Sequence, residues 1–216
     1  MSHHERQITT AEDFPRPSYS AEELSLVQGQ LDWAKKVLFR PLGYREPFTS
    51  QAPYIIGYVP EDERDAFSTF GQPGVSLQNL LQDKIELIRQ RMPNTFALID
   101  EDIRQIDPNL SRLLYTLDRH ETKPGQSFRL PARRWHIDYA LKYLISNRLP
   151  TEYYRGSAQV NENNFGISIL DDDTGVPALP FAILRQLPQV VHRSPTPSEP
   201  ASRTFLEVVA TKPRPK

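Results

Sequence analysis

The spacing of hydrophobic positions changes near the middle of the chain. Before residue 123 the apolar residues mostly recur at intervals of three and four, which is typical of amphipathic helices. After the turn Lys123–Gly125 they fall into short runs separated by Pro, Gly, Asn and Asp. That second pattern is typical of an all-β sandwich or barrel. We therefore expect an α+β chain with a helical first part and a β-rich second part.

Three helices and one strand are predicted in the first part. Ser20 and Glu23 form a capping box at the start of the first helix, and Ser76 is expected to cap the second. The predicted elements are helices from residue 20 to 38, from 76 to the residue before Pro93 and, interrupted by Pro108, from 102 to 118, together with the strand Tyr54–Val59.

Seven strands are predicted in the second part, each an apolar run bounded by turn-forming residues. They are Phe128–Leu130, Ile137–Ser146, Glu152–Tyr154, Phe165–Leu170, Phe181–Leu184, Gln189–Arg193 and Arg203–Ala210. We expect a single domain that consists of a helical support with a leading strand at 1–122, a barrel at 123–210 and a disordered tail at 211–216.

Composition narrows the chemistry that the chain can carry. A formal net charge of −1 offers no large positive field, so nucleic acid is not expected as the main partner. No apolar run approaches the roughly 20 residues needed to cross a bilayer, and the polar start is unlike a secretory signal. We therefore expect a soluble, cytoplasmic protein. Because cysteine is absent, any metal must be held by histidines and carboxylates.

Three residues of the second part have the types and spacing of a metal site. His136 and Asp138 stand two residues apart, so on a strand their side chains project from the same face. His192 lies 192 − 138 = 54 residues after Asp138, a length that suits the intervening strands of a small barrel. Two imidazoles and one carboxylate can occupy one triangular face of an octahedral metal. This arrangement is typical of non-haem Fe(II) oxygenases.

Arg203 adds a candidate for binding an organic anion. It lies 203 − 192 = 11 residues after His192, across a proline-rich turn, at the start of a predicted strand. A 2-oxo acid can chelate a metal through its keto and adjacent carboxylate oxygens. Its far carboxylate then needs a permanent cation with fork geometry, which arginine provides.

Together these motifs resemble the 2-oxoglutarate and Fe(II)-dependent dioxygenase superfamily. The resemblance rests on Trp135–Asp138, Val191–Pro195 and Arg203–Leu206, and it covers residues 128 to 209. It implies a double-stranded β-helix, which is a jelly-roll or cupin-like barrel, with N-terminal supporting helices. It also implies Fe(II), 2-oxoglutarate and O2 as cofactor and co-substrates.

The resemblance assigns roles to six residues. His136, Asp138 and His192 would be the catalytic iron ligands, and Arg203 would bind 2-oxoglutarate. The segment from Tyr143 to Glu152 is similar to the one that follows the first ligands in prolyl-hydroxylase-like members. It offers Tyr143 and Thr151 as further co-substrate contacts, although the glycine pair common before this threonine is absent here.

The implied reaction is oxidation of a small molecule. The resemblance implies that 2-oxoglutarate and O2 yield succinate and CO2 while a C–H bond of a small metabolite, amino acid or biosynthetic intermediate is hydroxylated. Asp138 argues against halogenation, because a halide would need its place on the iron. Desaturation, demethylation or cyclisation would use the same residues. The sequence does not identify the substrate or the oligomeric state.

Two alternatives to the oxygenase stay open at this stage. One is a non-enzymatic β-barrel binding module in which the histidines are structural. The other is a cupin-like metal enzyme that does not use 2-oxoglutarate, so that Arg203 would be dispensable.

Three other charged residues near these motifs receive structural interpretations. His120 lies in the charged segment 118–121, which predicts a solvated helix end. Arg193 is expected to point away from His192 and to form a salt bridge or line the entrance. Glu207 shares the strand parity of Arg203, and we expect it to be exposed at the end of the barrel.

Overall fold

The computed structural model describes residues 14–38, 47–70, 75–78, 82–110, 112–125, 134–160, 167–171 and 175–212. These residues form four helices, namely α1 (Ala21–Leu38), α2 (Glu61–Thr69), α3 (Gln82–Arg91) and α4 (Pro93–Ile106). They also form twelve strands, namely β1 (Pro47–Thr49), β2 (Tyr54–Tyr58), β3 (Val75–Gln78), β4 (Arg112–Thr122), β5 (Leu141–Ser146), β6 (Glu152–Tyr154), β7 (Ser157–Val160), β8 (Ile167–Ile169), β9 (Gly175–Pro177), β10 (Ala182–Gln186), β11 (His192–Arg193) and β12 (Ala201–Thr211). No helix in these ranges has the length and apolar character needed to span a membrane.

Six strands form one large antiparallel sheet in the order β2-β10-β5-β12-β4-β3. Its longest pairing joins β12 to β4 over the full length of both strands. The sheet therefore begins well before residue 123, because β2, β3 and β4 all belong to it.

A second layer is built from shorter strands. One part has the order β11-β6-β9, and another has the order β1-β7-β8. His136 extends the first part, since His136 and His192 exchange backbone N–H···O bonds of 3.0 Å in both directions. The Ile167 N–H donates to the carbonyl of Trp135 at 3.3 Å, which connects the two parts.

The chain passes repeatedly between the two layers. It runs from β4 in the large sheet to His136 in the second layer, back to β5, over to β6 and β9, back to β10, over to β11 and finally to β12. Residues of both layers line one cavity. The layers therefore face each other with the cavity between them.

The other face of the large sheet packs against the helices. Alternation along β12 places Leu206 and Val208 in this core, together with Phe67 of α2 and Phe96 and Ile99 of α4. Burial of such a side chain contributes about 1.5–3 kcal/mol each. The same alternation turns the intervening side chains of β12 toward the cavity.

A buried carboxylate sets the start of α4. Glu63, only 3% exposed, accepts hydrogen bonds from the backbone N–H groups of Asn94 at 2.7 Å and Thr95 at 3.0 Å. These are two of the N–H groups that a helix N-terminus leaves without an internal partner. Pro93 occupies the first turn, where its missing N–H costs nothing.

A second buried polar group, the Asp102 cluster, joins the helices to the covered face of the sheet. Its centre is Asp102 of α4, which binds the Tyr143 hydroxyl at 2.7 Å and Arg185 at 3.3 Å. Arg185 also binds Glu23 of α1 at 3.0 Å, and Tyr19 donates to Asp102. The cluster therefore connects α1 and α4 to the neighbouring strands β5 and β10.

Several predicted elements are confirmed. The first helix ends at Leu38, as predicted. Half of the capping box is present, since the N–H of Glu23 donates to Ser20 Oγ at 3.1 Å. The Glu23 carboxylate binds Arg185. Strand β6 has the predicted bounds, and strands were also correctly placed at β2, β8, β10, β11 and β12. The predicted strand Phe128–Leu130, part of Phe165–Leu170 and most of the tail lie outside the described residues.

Three predicted elements were wrong in their bounds or type. Residues 75–78 form β3 beside β4, and the helix begins only at Gln82. The helix predicted for 102–118 ends at Ile106, and residues 112–122 form β4. The leucines of that region mimic helical spacing, but pairing along the whole of β12 determines their conformation. The strand predicted for 137–146 begins at Leu141, after the chain has crossed between layers.

Candidate metal centre

The structure brings His136, Asp138 and His192 together at one side of the cavity. One ligand atom from each residue lies within 4.8 Å of the others. His192 is buried on β11, and the other two are half-buried in the segment beside it. The backbone pairing of His136 with His192 brings the two imidazoles together, and their ring centroids are 4.1 Å apart.

Both imidazoles are oriented by backbone carbonyls. His136 Nδ1 lies 2.9 Å from the carbonyl oxygen of Arg134, and His192 Nδ1 lies 3.1 Å from that of Val190. A carbonyl can only accept, so each Nδ1 carries the proton and each Nε2 keeps its lone pair. Metal-binding histidines are commonly fixed in this way. The pair thus presents two Nε2 donors.

Three groups contact one oxygen of Asp138. Its Oδ2 atom lies 2.9 Å from Lys142 Nζ, 3.0 Å from Gln186 Nε2 and 3.3 Å from His192 Nε2. Lys142 is shared with Glu207, whose Oε2 atom is 3.2 Å away. Gln186 is fully buried. The ammonium of Lys142 and the amide N–H of Gln186 donate to this oxygen and hold the carboxylate beside the two imidazoles.

The protonation states of His136 and Asp138 suit the binding of a metal cation. Burial, followed by the nearby His192, lowers the pKa of His136 to about 4, so its imidazole is neutral at pH 7. Burial alone would raise the pKa of Asp138, but the adjacent His192 imidazole and the charge of Lys142 bring it well below the ordinary value. A neutral imidazole and an ionised carboxylate are the forms that bind metals.

The cavity beside the triad has a volume of about 190 Å³. The second layer contributes the triad, Thr151 and Ser194, and the large sheet contributes side chains of β4, β5 and β12. Arg203 lies here and is only 4% exposed. Its Nη2 atom donates to Thr151 Oγ1 at 3.0 Å, and its guanidinium stacks 4.6 Å from the centre of the Phe205 ring.

Five of the six residues predicted for the site line this cavity, and Tyr143 does not. Tyr143 is fully buried on the opposite face of the large sheet, where its hydroxyl binds Asp102. Strand alternation explains the difference, because its neighbours Lys142 and Leu144 point into the cavity. The predicted contact of Tyr143 with a co-substrate is therefore corrected to a structural role. Thr151 does lie beside Arg203.

Two other interpretations also need correction. His120 is on strand β4 and lines the cavity, whereas we expected a solvated helix end. Glu207 faces the cavity with its side chain only 13% exposed and paired with Lys142, whereas we expected an exposed position. The expectation for Arg193 is confirmed, since its Nε atom binds Glu152 at 2.7 Å.

Sequence reasoning missed Lys142 and Gln186. Lys142 shares the parity of Asp138 along the predicted strand Ile137–Ser146, but the chain crosses between the layers before β5 begins at Leu141, so parity alone was no reliable sign. Gln186 lies just beyond the predicted strand Phe181–Leu184, and no motif marks it.

Comparison with known proteins gives matches in structure only. No protein-family model matches the chain, and no curated protein matches its sequence. The structure is similar to the dioxygenase for auxin oxidation 1 from Arabidopsis thaliana, in its 2-oxoglutarate complex, with 11% identity, a TM-score of 0.38 and coverage of 88% of this chain and 79% of that one. The rice dioxygenase for auxin oxidation gives 14% identity, a TM-score of 0.38 and coverage of 87% and 70%.

A third match is the ribosomal oxygenase YcfD of Escherichia coli, with 13% identity, a TM-score of 0.35 and coverage of 94% of this chain and 46% of that one. All three proteins are described as dioxygenases or oxygenases. Superpositions with TM-scores below 0.5 carry no assignment of fold or function. The geometry of the site is therefore the evidence for function in this protein.

Proposed function

We propose that the protein is an Fe(II) and 2-oxoglutarate-dependent oxygenase built on a double-stranded β-helix. The observation that carries the proposal is the orientation of two histidines. Both Nδ1 atoms bind backbone carbonyls, so both Nε2 atoms are available beside the Asp138 carboxylate. A buried arginine lies in the same cavity.

The strand order supports this type of barrel. The central strands of the large sheet run β10-β5-β12-β4, and the facing layer runs from His136 through β11 and β6 to β9. Successive strands mostly alternate between the layers, so the chain winds around the cavity as a helix of paired strands. This winding places the segment of His136 beside the much later strand of His192.

The donor set fits ferrous iron. Two imidazole nitrogens and one carboxylate oxygen are the donors of non-haem iron sites that keep positions for other ligands. When bound, Fe(II) with 2-oxoglutarate and O2 supplies the oxidising chemistry, and the oxo acid leaves as succinate and CO2. His136, Asp138 and His192 would hold the metal.

The chain's other residues prepare the site for this chemistry. Lys142 and Gln186 contact Asp138 Oδ2 and so fix the carboxylate beside the two imidazoles. Leu144 and Phe205 provide apolar walls that help to exclude water.

Arg203 is proposed to bind the far carboxylate of 2-oxoglutarate. Its guanidinium is held by Thr151 and by the Phe205 ring, so little freedom is lost when an anion binds. Because Arg203 is buried, its charge is screened weakly by solvent. A cavity of about 190 Å³ suits a small oxo acid. The substrate is proposed to be a small metabolite, amino acid or biosynthetic intermediate.

Succinate release from 2-oxoglutarate tests the proposal. Protein loaded anaerobically with Fe(II) is exposed to O2, and succinate is measured for wild type, His136→Ala and Arg203→Met. Arg148→Met is the matched control, because this arginine is exposed and does not line the cavity. We expect wild type and Arg148→Met to release succinate and the other two to release little.

The same measurements separate the alternatives. A protein that binds no divalent metal would be a binding module, contrary to the proposal. A protein that binds Fe(II) but whose affinity for 2-oxoglutarate is unchanged by Arg203→Met would be a metal enzyme that does not use this co-substrate.

A further inference from the structure

His120 lies in the cavity although nothing in the proposed chemistry so far employs it. Strand β4 carries it opposite Arg203 of β12, as a direct cross-strand pair. Side chains of such pairs start about 5 Å apart on the same face of a sheet. Both residues line the cavity. The imidazole is therefore a neighbour of the guanidinium at the end of the cavity formed by β4 and β12.

The Nε2 atom of His120 is buried and, among the described residues, has no hydrogen-bond partner. The closest charged group recorded for it is Asp118, whose Oδ2 atom is 3.8 Å away, beyond hydrogen-bonding distance. Buried ring nitrogens normally have a partner. A group bound in the cavity could supply one.

Two other residues near His120 in the cavity, Arg203 and Thr151, suit an anion, whereas Asp118 is itself a carboxylate. Arg203 provides a permanent positive charge, and Thr151 lies against it at 3.0 Å. An imidazole with its proton on Nε2 would add a donor at the same place. A carboxylate accepts several hydrogen bonds through its two oxygens, so it can bind an arginine and a histidine together.

We infer that His120 acts with Arg203 and Thr151 to bind the distal carboxylate of the co-substrate, and so determines preference for a dicarboxylic 2-oxo acid. This inference rests on the proposed function. His120 would be a specificity-determining residue: it would affect ligands that carry the distal carboxylate and leave binding of the metal and of simple chelators unchanged.

Binding to protein loaded with Mn(II) tests the inference without turnover. The probes are 2-oxoglutarate and oxalate, since oxalate chelates a metal but lacks a distal carboxylate, and affinities are measured by titration calorimetry. His120→Phe fills the space without the donor, and His120→Gln keeps an N–H donor. Glu121→Ala is the matched control, because Glu121 is the exposed next residue of β4.

We expect His120→Phe to weaken 2-oxoglutarate binding by at least about tenfold, as loss of a hydrogen bond to a charged group does. Oxalate and Mn(II) affinities should change less than about twofold. His120→Gln should recover much of the loss, and Glu121→Ala should match wild type.

Other outcomes overturn the inference. Equal loss for oxalate and 2-oxoglutarate would mean that His120 acts through the metal or the fold. Unchanged 2-oxoglutarate affinity in both His120 variants would mean that it does not contact the co-substrate. In either case the proposed function survives if wild type binds Mn(II) and 2-oxoglutarate. Wild type that binds neither would instead overturn the proposed function.

Discussion

The two faces of the large sheet carry two buried polar clusters with different organisation. The Asp102 cluster lies under the helices, and its groups bind one another in a connected set. The cavity cluster contains the His-Asp-His triad and Arg203, and it borders a space of about 190 Å³. Buried polar groups require partners. In the Asp102 cluster these partners are other side chains of the protein. In the cavity cluster a bound ligand can be a partner.

Arg185 and Gln186 show how closely the two clusters are placed. They are consecutive, fully buried residues of β10. Arg185 points to Asp102, and Gln186 points to Asp138. One step along a strand therefore separates a residue that stabilises the fold from a residue that prepares a site. Variants on the two sides should affect different measurements.

The largest expected effect is on the covered face. Among the described residues, Asp102→Ala leaves the buried Arg185 with Glu23 as its remaining ion-pair partner. Removal of one partner of a buried ion pair costs about 3–5 kcal/mol in the free energy of unfolding. Urea denaturation measures this loss.

The matched control for Asp102→Ala is Asp100→Ala on the same helix. Its ion pair with Arg89 is about one-third exposed and should contribute only about 1 kcal/mol or less. An Asp102 variant as stable as the Asp100 variant would contradict the structural role of the cluster.

On the cavity face, His136→Ala should abolish tight metal binding and leave the metal-free fold nearly intact. Loss of a group that merely supports a metal ligand already costs 10–100-fold in affinity, so we expect loss of a ligand to cost at least about 100-fold. Titration with Mn(II) measures it. Saturating Mn(II), at about 100 times its dissociation constant, should raise the unfolding free energy of wild type by about 2.7 kcal/mol. A similar increase for His136→Ala would exclude this histidine as a ligand.

Arg203→Met should weaken 2-oxoglutarate binding by roughly 10–150-fold, because hydrogen bonds to charged groups contribute about 1.5–3 kcal/mol. Mn(II) binding should stay unchanged, since Arg203 is not a ligand in the proposed site. Arg148→Met, at an exposed arginine outside the cavity, serves as the control, and calorimetry of both variants provides the measurement. Equal effects of the two substitutions would remove the case for a specific anion site.

The sequence allowed the meeting of the triad and Arg203 in one cavity to be predicted, because the roles proposed for them impose residue type, order and spacing. The strands that carry them also have distinctive apolar runs. Thr151 followed from a resemblance in the adjacent segment. These predictions required only that side chains alternate between the two faces of a strand and that the strands form a small barrel.

The rest depended on contacts that local patterns do not specify. His120 was misplaced because β4 was taken as a helix, and its true parity appears only once β4 is paired with β12. Tyr143 was assigned to the cavity, but it is adjacent to Lys142 on β5, a strand with both faces covered. Its side chain therefore points to the opposite face. Glu63 and Asp102 have partners 31 to 83 residues away, so sequence spacing gives no sign of their roles.

The smallest and most discriminating effect is expected from Gln186→Leu, compared with Arg185→Met. Gln186→Leu removes the amide that holds Asp138 and contacts His192, so Mn(II) affinity should fall about tenfold, as when a supporting partner of a ligand is lost. Because leucine and glutamine have similar volumes, the free energy of unfolding should change by about 1.5 kcal/mol or less.

Arg185→Met should give the reverse result, with reduced stability and unchanged Mn(II) affinity, because it leaves Asp102 and Glu23 without their shared cation. Parallel urea denaturation and Mn(II) titration of both variants make the comparison. If each substitution changed both quantities equally, the two faces would be energetically coupled through β10. Separate effects would mean that the sheet isolates the site from the cluster that anchors its helices.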